Sequence, residues 1–508
     1  MGHLPFVIYR DYIFQFWLEH KPLAAIALVI WIAVFYFDAL ETLFYKFVPR
    51  IPTNPHFRKR DNAFRRVRQV CYLLSIGISF ITFPFIGLVA EAYTVLLPVF
   101  FSLLLTGISL ILAHDQYSLQ RPRMPLSRYH YPKSDFNVAE LAPESTEVRR
   151  EREIYQRYRP APMNPTAREY IERGSHGSIW KGLQPFWHCL SQTFEVDATH
   201  LRLERNTTSG IRHALQEMIS ATKEVTLITT DAEYPQVADI IDSYGRNPAP
   251  QVKVRKIKVA DRIWNNNLQP DDLVGELNDE VDKWRGGNGD ICICTSHVYW
   301  ESALKLPISS LREKIGEDVH LLIDGAQAFG NVHVGQESLQ QCSYYITSGH
   351  KWLLGKSTLG ILYRNQRRCA KIPEIPSGDS MSSLRDLFSG NPGGTVDIEA
   401  FVALNTSLKD LLYAGLAEVA KHNELLADLF RDWSRQLPQC VPMPSRGGGG
   451  IVMLQVDDPD RVWALLNRRY RIQSTVFPKR RALRLCFHYY HGENDVYSLI
   501  EKMTDTLS

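Results

Sequence analysis

The amino-acid sequence predicts an α/β fold with a mainly parallel sheet, preceded by three transmembrane helices. Two features of the 508-residue chain indicate this. Three long apolar segments lie within residues 1–118, each near the length that crosses a bilayer. From about residue 166, short apolar runs alternate with amphipathic segments of helical periodicity. That alternation is typical of parallel strands joined by helices.

The first 118 residues are predicted to form a membrane region. Its helices span about 22–45, 70–90 and 93–113, and the last two segments contain no charged residue. Residues 49–69 hold seven Lys or Arg against one acidic residue, and basic loops stay on the cytoplasmic side of a membrane. We therefore expect an integral membrane protein whose large C-terminal part, which contains any catalytic domain, is cytoplasmic. Buried helices of a soluble domain are the alternative for these segments.

The rest of the chain divides by composition. Residues 119–165 are rich in proline and charge and are predicted to be a linker, with a short helix at 144–158. A large α/β domain at 166–385 and a smaller C-terminal domain at 386–508 are expected to follow. The net charge of +3 is too balanced to suggest nucleic-acid binding. Eight cysteines without a C-x-x-C pair indicate buried thiols rather than disulfides or a metal site.

Four apolar runs of the large domain are predicted to be strands, and each ends in a polar residue. The runs are 224–230, 290–296, 319–324 and 342–348. Ligands of such sheets bind beyond the carboxyl ends of the strands. The residues at those ends are Thr230, Ser296, Asp324 and Ser348. We therefore expect the functional site at this edge of the sheet.

Asp324 and Lys351 suggest the chemistry of that site. A buried carboxylate stays ionised when it pairs with a cationic ring nitrogen, and a lysine past a neighbouring strand can act as a nucleophilic amine. A lysine that forms a Schiff base, with an aspartate on a pyridinium nitrogen, is the core of a pyridoxal-phosphate enzyme. The 27 residues between the two allow a helical crossover between parallel strands. Spacing alone leaves this hypothesis open, because Asp and Lys are common at strand ends.

The sequence around these two residues resembles a known family. "DGAQAFG" (324–330) and "SGHKWLLG" (348–355) are similar to segments of the fold-type I pyridoxal-phosphate enzymes of the aminotransferase class V family. That family includes cysteine desulfurases and isopenicillin N epimerase-like proteins, and the resemblance covers about residues 170–505. It implies a PLP-dependent transferase fold, with a large α/β domain and a small C-terminal α+β domain. It also implies pyridoxal 5′-phosphate as the cofactor.

The resemblance assigns roles around the cofactor. Lys351 matches the lysine of the internal aldimine, Asp324 the partner of the pyridine nitrogen, and Gln327 the residue that hydrogen-bonds the phenolic oxygen. Tyr234, in "DAEYPQV", matches the aromatic residue that stacks on the ring. The residues implied to hold the phosphate are Thr207, Thr208, Ser348 and His350. The expected catalytic residues are Lys351, Asp324 and His350.

Other matches concern the substrate and a partner subunit. Arg484, in "RALRLCFHYYHGENDV", matches the arginine that binds a substrate carboxylate, with Arg481 as an alternative. Trp300 stands where the family often has an asparagine, which predicts a bulkier and more apolar substrate pocket. Thr395, in "NPGGT", matches a residue that reaches the partner subunit's phosphate, which implies a homodimer. No metal is expected.

The predicted function is that of a membrane-anchored enzyme acting on an amino acid or amine, with transamination as the first choice. Epimerisation and β- or γ-elimination stay open, because the same family performs them. A desulfurase is disfavoured, since the loop 471–483 lacks the nucleophilic cysteine that sulfur-removing members carry there. A non-catalytic membrane scaffold or sensor with a degenerate PLP-fold domain is a further alternative. For the substrate, a lipid-linked amine is also an open alternative.

Overall fold

The computed structural model describes most of the chain from residue 125 onward. The described residues are 125–158, 184–246, 251–287, 289–357, 359–375, 397–437 and 439–507. Residues 122–508 form one compact unit. The three predicted transmembrane segments and Thr395 lie outside the described residues.

The described helices correct the predicted location of the protein in a membrane. Within the described part of the chain, no helix is long and apolar enough to cross a bilayer. The longest of these helices, Leu416–Ser434, has 19 residues. Charged residues recur along it, namely Glu418, Lys421, Glu424, Asp428, Arg431 and Asp432. The prediction of an integral membrane protein with a cytoplasmic catalytic domain is therefore contradicted. The described residues contain every predicted site residue except Thr395.

Seven strands form the larger of two sheets. They are β1 (Leu201–Glu204), β2 (Glu224–Thr230), β3 (Gln251–Ile257), β4 (Asp290–Ser296), β5 (His320–Asp324), β6 (Tyr344–Ser348) and β7 (Gly360–Arg364). Their spatial order is β1-β7-β6-β5-β4-β2-β3. The five strands from β6 to β3 run parallel, whereas β7 is antiparallel to both of its neighbours. The prediction of an α/β fold with a mainly parallel sheet is confirmed.

Helices cover both faces of this sheet. In chain order the described helices are α1 (Thr146–Tyr158), α2 (Gln184–Phe194), α3 (Thr207–Ser220), α4 (Pro235–Gly245), α5 (Ala260–Trp264), α6 (Pro270–Trp284), α7 (Ile308–Ile315), α8 (Gln336–Gln340), α9 (Ile398–Ala414), α10 (Leu416–Ser434), α11 (Pro459–Tyr470) and α12 (Glu493–Leu507). Because both faces of the sheet are covered, its central strands are continuous apolar runs rather than alternating ones.

The two faces of β4 pack against different helices. Cys292 and Cys294 belong to a core cluster with Ile211 of α3 and Ile240 of α4. The alternate residues of the strand belong to a second cluster, which includes α6 and α7 side chains. The seven described cysteines are all buried and free of disulfides. These thiols therefore serve as small core side chains.

The smaller sheet is built from the C-terminal part of the chain. It contains β8 (Cys440–Pro442), β9 (Ile451–Val456), β10 (Thr475–Phe477) and β11 (Ala482–Cys486), in the order β10-β11-β9-β8 with all pairs antiparallel. Side chains of α10, α11 and α12 form a hydrophobic cluster with it. This is the smaller α+β part that the sequence predicts, although the domain boundaries themselves stay predictions.

The described part of the segment that was predicted to be a linker packs against the rest of the unit. Tyr131, Phe136 and Val138 are buried. The backbone of Phe136 bridges two C-terminal segments, since its N–H donates to Gln473 O at 3.1 Å and its carbonyl accepts from Cys486 N at 2.8 Å. Residues 134–142 thereby run along the edge of the candidate site.

Candidate active site

Three parallel strand ends form the floor of the site. Ser296 of β4 is in register with Asp324 of β5, and Asp324 is in register with Ile346 of β6. Ser348 ends β6 two residues later. The structure thus brings the polar residues predicted at these ends to one edge of the sheet, where ligands of α/β proteins bind.

Asp324 is a buried carboxylate at the centre of this edge. It is 6% exposed, and its Oδ1 accepts a hydrogen bond from the backbone N–H of Ala326 at 2.9 Å. Burial raises the pKa of Asp324, whereas the Ala326 N–H and the positive charge of Lys351 lower it. A buried carboxylate is stable when it is paired with a cation. A protonated ring nitrogen would supply that cation.

Lys351 carries an amine suited to attack a carbonyl group. Its Nζ lies 5.5 Å from the centre of the Tyr234 ring. Burial lowers the pKa of Lys351 to about 8; the charge of Asp324 opposes this shift and that of Arg484 adds to it. Only the neutral amine is nucleophilic, so a lowered pKa increases the reactive fraction near neutral pH.

Gln327 and Trp352 fix the backbone beside Lys351. The Gln327 Nε2 donates to Ala139 O at 2.8 Å, and its Oε1 accepts from Trp352 Nε1 at 2.9 Å. A carboxamide nitrogen carries two hydrogens, so one N–H of Gln327 remains for a ligand. The Trp352 carbonyl accepts a hydrogen bond from His488 Nε2 at 2.9 Å. Both the side chain and the backbone carbonyl of Trp352, which follows the lysine, are therefore held by hydrogen bonds.

Gly360 brings the predicted phosphate-binding residues close together, because it lies between β6 and the N-terminus of α3. Gly360 pairs with Ser348 on one side and with Glu204 on the other. A Cβ at Gly360 would lie 2.6 Å from the backbone of Asn206. Asn206 is the N-cap of α3, whose first two residues are the predicted threonines. The contact at Gly360 therefore places the N-terminus of α3 beside the end of β6.

An unpaired hydroxyl marks this corner of the site. Thr207 Oγ1 is buried and has no hydrogen-bond partner among the described residues. Ser348 Oγ and His350 Nδ1 are 3.0 Å apart. Burial and the nearby charge of Lys351 lower the pKa of His350 to about 4, so its ring is neutral at physiological pH. A phosphate group would satisfy the orphan hydroxyl, and helix N-termini favour anions.

An aromatic wall connects Lys351 with Arg484. Tyr234 and Trp300 meet edge to face, with ring centres 5.5 Å apart. Trp300 in turn lies 5.3 Å from the ring of Phe477, and the Arg484 guanidinium carbon lies 5.6 Å from the same ring. These rings give the space between the lysine and the arginine an apolar side.

Arg484 is buried and only partly hydrogen-bonded. It is 3% exposed; its Nη1 donates to Trp300 O at 3.2 Å and its Nη2 to Thr475 Oγ1 at 3.1 Å. Its Nε is buried and has no hydrogen-bond partner among the described residues. A guanidinium with donors to spare can bind a carboxylate in a planar, bidentate manner. The alternative candidate, Arg481, instead pairs with Asp457 at 2.7 Å on the surface.

Residues 134–142 form a further wall that the sequence reasoning missed. Ala142 N donates to His350 O at 2.8 Å, in addition to the contact of Ala139 with Gln327. Glu140 Oε2 accepts from Thr475 Oγ1 at 3.2 Å, beside Arg484. The contacts with Gln327 and His350 are made by backbone groups, which leave no motif in a sequence.

Other site residues were also missed. They are Glu233, Thr475 and Phe477. Their position in the sequence could have identified them. Glu233 directly precedes Tyr234, and Thr475 and Phe477 stand in the segment just upstream of Arg484. Thr395 lies outside the described residues, so the structure does not place it.

Comparison with known proteins identifies relatives of the chain. The family model "Aminotransferase class-V" matches residues 304–467. The isopenicillin N epimerase of Streptomyces clavuligerus is 27% identical over 237 residues, which cover 42% of this chain and 58% of the epimerase. A probable cysteine desulfurase of Halalkalibacterium halodurans is 25% identical over 146 residues, covering 27% of this chain and 36% of that protein. Over residues 304–467 the chain is similar to class V aminotransferases. It spans little more than half the length of the epimerases that it matches.

Solved structures show the same fold. A C-DES mutant with glycine covalently linked to its PLP cofactor has a TM-score of 0.59 and 19% identity, covering 75% of this chain and 97% of that one. An Escherichia coli cysteine desulfurase has a TM-score of 0.56 and 15% identity, covering 74% and 96% of the two chains. These likenesses show that the chain shares the fold of these enzymes. The match to the class V aminotransferase model confirms the predicted pyridoxal-phosphate cofactor.

The residues of the site fit that cofactor. Among the described residues, Asp324 feels the charge of Lys351 but forms no direct ion pair, and Thr207 Oγ1 has no hydrogen-bond partner. Lys351 has an amine with a lowered pKa. A protonated pyridine nitrogen would pair with Asp324, a phosphate would hydrogen-bond Thr207, and an aldehyde would react with the amine of Lys351. The predicted enzyme class is confirmed, whereas the roles of the individual residues stay predictions.

Proposed function

We propose that this protein is a pyridoxal-phosphate-dependent enzyme acting on an amino acid, with transamination as its reaction. The observation that supports this best is the setting of Lys351. Its amine faces the Tyr234 ring, feels the charge of the buried Asp324, and is connected to Arg484 by an aromatic wall. A substrate held by its carboxylate at Arg484 would extend its amino group toward Lys351.

The proposed tasks follow from the chemistry of the groups. When bound, the cofactor supplies an aldehyde that condenses with amines and a ring that withdraws electrons from the substrate α-carbon. Asp324 would hold a proton on the ring nitrogen, because an ionised carboxylate favours a neighbouring cation. Lys351 would take a proton from the α-carbon and return one at the end of the reaction.

The remaining residues would bind and orient. The phosphate would lie on the N-terminus of α3, against Thr207, Thr208, Ser348 and His350. Tyr234 would stack on the cofactor ring, and the remaining N–H of Gln327 would reach its phenolic oxygen. Arg484 would fix the substrate carboxylate, while Trp300 and Phe477 would favour apolar substrate side chains and exclude water. A homodimer, in which Thr395 contributes to the partner subunit's site, is part of this proposal.

Epimerisation is the second candidate reaction. It is favoured by the similarity to two isopenicillin N epimerases, each 27% identical to this chain. Both reactions need the same α-proton transfer, so the residues described above serve either one. The product distinguishes them: transamination yields a keto acid, whereas epimerisation yields the mirror-image centre.

Sulfur removal from cysteine is less well supported. The loop 471–483 has no cysteine, and the nearest one in sequence, Cys486, is fully buried. Burial raises the pKa of Cys486 to about 11, so its thiol stays protonated and is a poor nucleophile near pH 7. A desulfurase that uses a protein thiolate is therefore disfavoured, while elimination without such a thiolate stays an alternative outcome.

The first experiment separates an enzyme from a non-catalytic scaffold. The purified protein is incubated with pyridoxal 5′-phosphate, reduced with borohydride, digested and analysed by peptide mass spectrometry. We expect the reduced adduct on Lys351, and we expect Lys351→Ala to remove both the adduct and the visible absorbance. Lys356→Ala, at a nearby surface lysine, is the matched control and should keep both. An unmodified Lys351 in the wild type would refute the proposal.

The second experiment identifies the reaction. The loaded protein is mixed with a panel of amino acids and long-chain amines, and absorbance changes select the substrates. Chiral chromatography, keto-acid detection and sulfide or ammonia assays then report epimerisation, transamination and elimination. Keto-acid formation with amino-group transfer supports the first choice. Racemised product without keto acid would replace it with the second.

A further inference from the structure

A buried glutamate next to the proposed ring-stacking residue has no task in the chemistry described so far. Glu233 is 5% exposed and lies between β2 and α4. Its carboxylate accepts hydrogen bonds from Thr230 Oγ1 at 2.8 Å, Thr295 Oγ1 at 2.8 Å and Ser296 Oγ at 2.6 Å. Its hydrogen-bond partners among the described residues are thus neutral hydroxyls, which is unusual for a buried acid.

The hydroxyls around Glu233 form a directional network. Each hydroxyl has one hydrogen, and the hydroxyls of Thr230 and Thr295 donate theirs to the Glu233 carboxylate. Tyr299 OH lies 2.7 Å from Thr295 Oγ1, and it must donate because the threonine hydrogen is already used. This arrangement fits a charged carboxylate. If Glu233 gains a proton, it becomes a donor, and one of the three hydroxyls must turn away.

Ser296 connects this network with Asp324. The two residues are paired in register at the ends of β4 and β5. The charge of Asp324 also acts on Glu233. Cys294 and Tyr299 also interact with Glu233, and burial raises the pKa of both well above its usual value, so both are neutral. Lys351 adds a positive charge that acts on Asp324.

Glu233 can change its charge near physiological pH. Burial raises the pKa of Glu233 to about 7; the three hydroxyls oppose the shift, and the charge of Asp324 adds to it. Two interacting buried acids titrate as a pair, so the proton on one depends on the state of the other.

We propose that Glu233 is a positioning residue of the cofactor site, which orients the hydroxyls of Ser296 and Thr295 and whose charge sets how strongly Asp324 holds a proton on the ring nitrogen. This inference rests on the proposed function. A charged Glu233 adds negative potential beside Asp324 and thereby favours a protonated ring. A neutral Glu233 weakens that preference.

The test measures the ring nitrogen directly. Wild-type and Glu233→Gln proteins are loaded with pyridoxal 5′-phosphate labelled with ¹⁵N in the ring, and the ¹⁵N chemical shift is followed over the pH range in which the proteins are folded. We expect the pH at which the ring loses its proton to be lower in Glu233→Gln, by about half a unit or more. Thr229→Val is the matched control, since Thr229 is buried near the end of β2, four residues before Glu233, and its hydroxyl has no partner among the described residues.

A second variant covers the case in which Glu233→Gln does not fold. Ser296→Ala removes the 2.6 Å donor, which makes the proton on Glu233 harder to lose. It should shift the ring midpoint in the same direction by a smaller amount. If all three variants bind the cofactor and the ring nitrogen loses its proton at the same pH in Glu233→Gln, Ser296→Ala and Thr229→Val, the Glu233 proposal is overturned. The proposed function is untouched by that result. If the wild type binds no cofactor, the proposed function fails and this inference fails with it.

Discussion

The indole of Trp352 donates a hydrogen bond to the carboxamide of Gln327 across 2.9 Å, and both side chains are buried. Since Trp352 directly follows Lys351, this bond fixes the lysine relative to the end of β5. Trp352→Phe would leave the Gln327 oxygen unpaired, at a cost of about 1–3 kcal/mol. We expect a lower free energy of unfolding and weaker cofactor binding, measured by urea denaturation and by equilibrium dialysis.

Trp284→Phe provides the comparison for that prediction. Trp284 on α6 also donates from its indole, to Glu280 at 3.2 Å, but it lies away from the site. This variant should lose some stability and keep the cofactor affinity. Equal losses of affinity in both variants would show that the Trp352 bond has no special effect on the site.

Gly325 is predicted to be irreplaceable because it lies against Tyr345. A Cβ at this position would be 2.2 Å from Cε1 and 2.4 Å from Cζ of that ring. Tyr345 is buried and bonded to His297 at 2.9 Å, so it cannot move freely. Gly325→Ala should destabilise the protein by about 1–3 kcal/mol and displace the adjacent Asp324, with loss of bound cofactor. Thermal denaturation and the absorbance of the loaded protein measure the two effects.

Gly275→Ala is the matched control for this substitution. Gly275 lies within α6, and a Cβ there would meet no atom within 4 Å. Since alanine is the better helix former, this change should leave stability equal or raise it by about 1 kcal/mol. A cofactor content that stays normal in Gly325→Ala would disprove the steric argument.

Local sequence predicted the strands that are buried on both faces. The runs 224–230 and 290–296 match β2 and β4 to the residue, because a strand covered on both faces is apolar throughout. The runs predicted at 319–324 and 342–348 begin one and two residues before β5 and β6. Asp324 and Lys351 could be singled out because each stands in a distinctive sequence next to such a strand.

Residues whose environment comes from distant segments could not be predicted. Strands β1 and β7 contain Arg202 and Arg364, which are buried because Glu217 of α3 pairs with both, at 2.6 and 3.3 Å. A charged four-residue run does not indicate a buried strand when its partner lies on another element. Ala139 was missed for a related reason: its contact with Gln327 uses only the backbone carbonyl.

His213 is predicted to stabilise the fold below alkaline pH. Its Nδ1 lies 2.8 Å from Glu204 Oε1 and its Nε2 lies 2.9 Å from Ile375 O, so both nitrogens face acceptors. Burial lowers the pKa of His213, but hydrogen bonds with Glu204 and Glu217 outweigh it and raise the pKa to about 9. The folded state therefore holds a proton that the unfolded state releases near pH 6.5.

The sign of the resulting pH dependence follows from linkage. The stabilisation by His213 is fully present below about pH 6.5 and is lost as the pH rises through about 9. His213→Gln should therefore cost on the order of 1–3 kcal/mol at pH 6 and much less at pH 9.5. Urea denaturation at the two pH values measures this, with the exposed His333→Gln as the control. An equal cost at both pH values would contradict the assignment of a charged ring.

Arg484 is predicted to determine substrate affinity rather than protein stability. Lysine cannot reproduce the planar pair of donors, so Arg484→Lys should raise KM for a carboxylate-bearing substrate by about tenfold or more. The change in kcat should be smaller, because the interaction is present before and during the reaction. Arg481→Lys, at an exposed surface pair, should leave both constants unchanged. Steady-state kinetics on the substrate selected by the amino-acid panel decides between the two arginines.

Lys351 is predicted to destabilise the protein when no cofactor is bound. Its pKa is about 8 in the folded state against about 10.4 in an unfolded chain, so the folded state binds the proton more weakly. The cost of burying the charged amine is largest below pH 8 and disappears as the pH rises through about 10.4. Lys351→Met should therefore stabilise the cofactor-free protein by on the order of 1–3 kcal/mol at pH 7, and by less at pH 10. Paired melting curves at the two pH values test this, with Lys421→Met at an exposed lysine of α10 as the reference. A gain that does not shrink with rising pH would come from better packing of the methionine and not from removal of a buried charge.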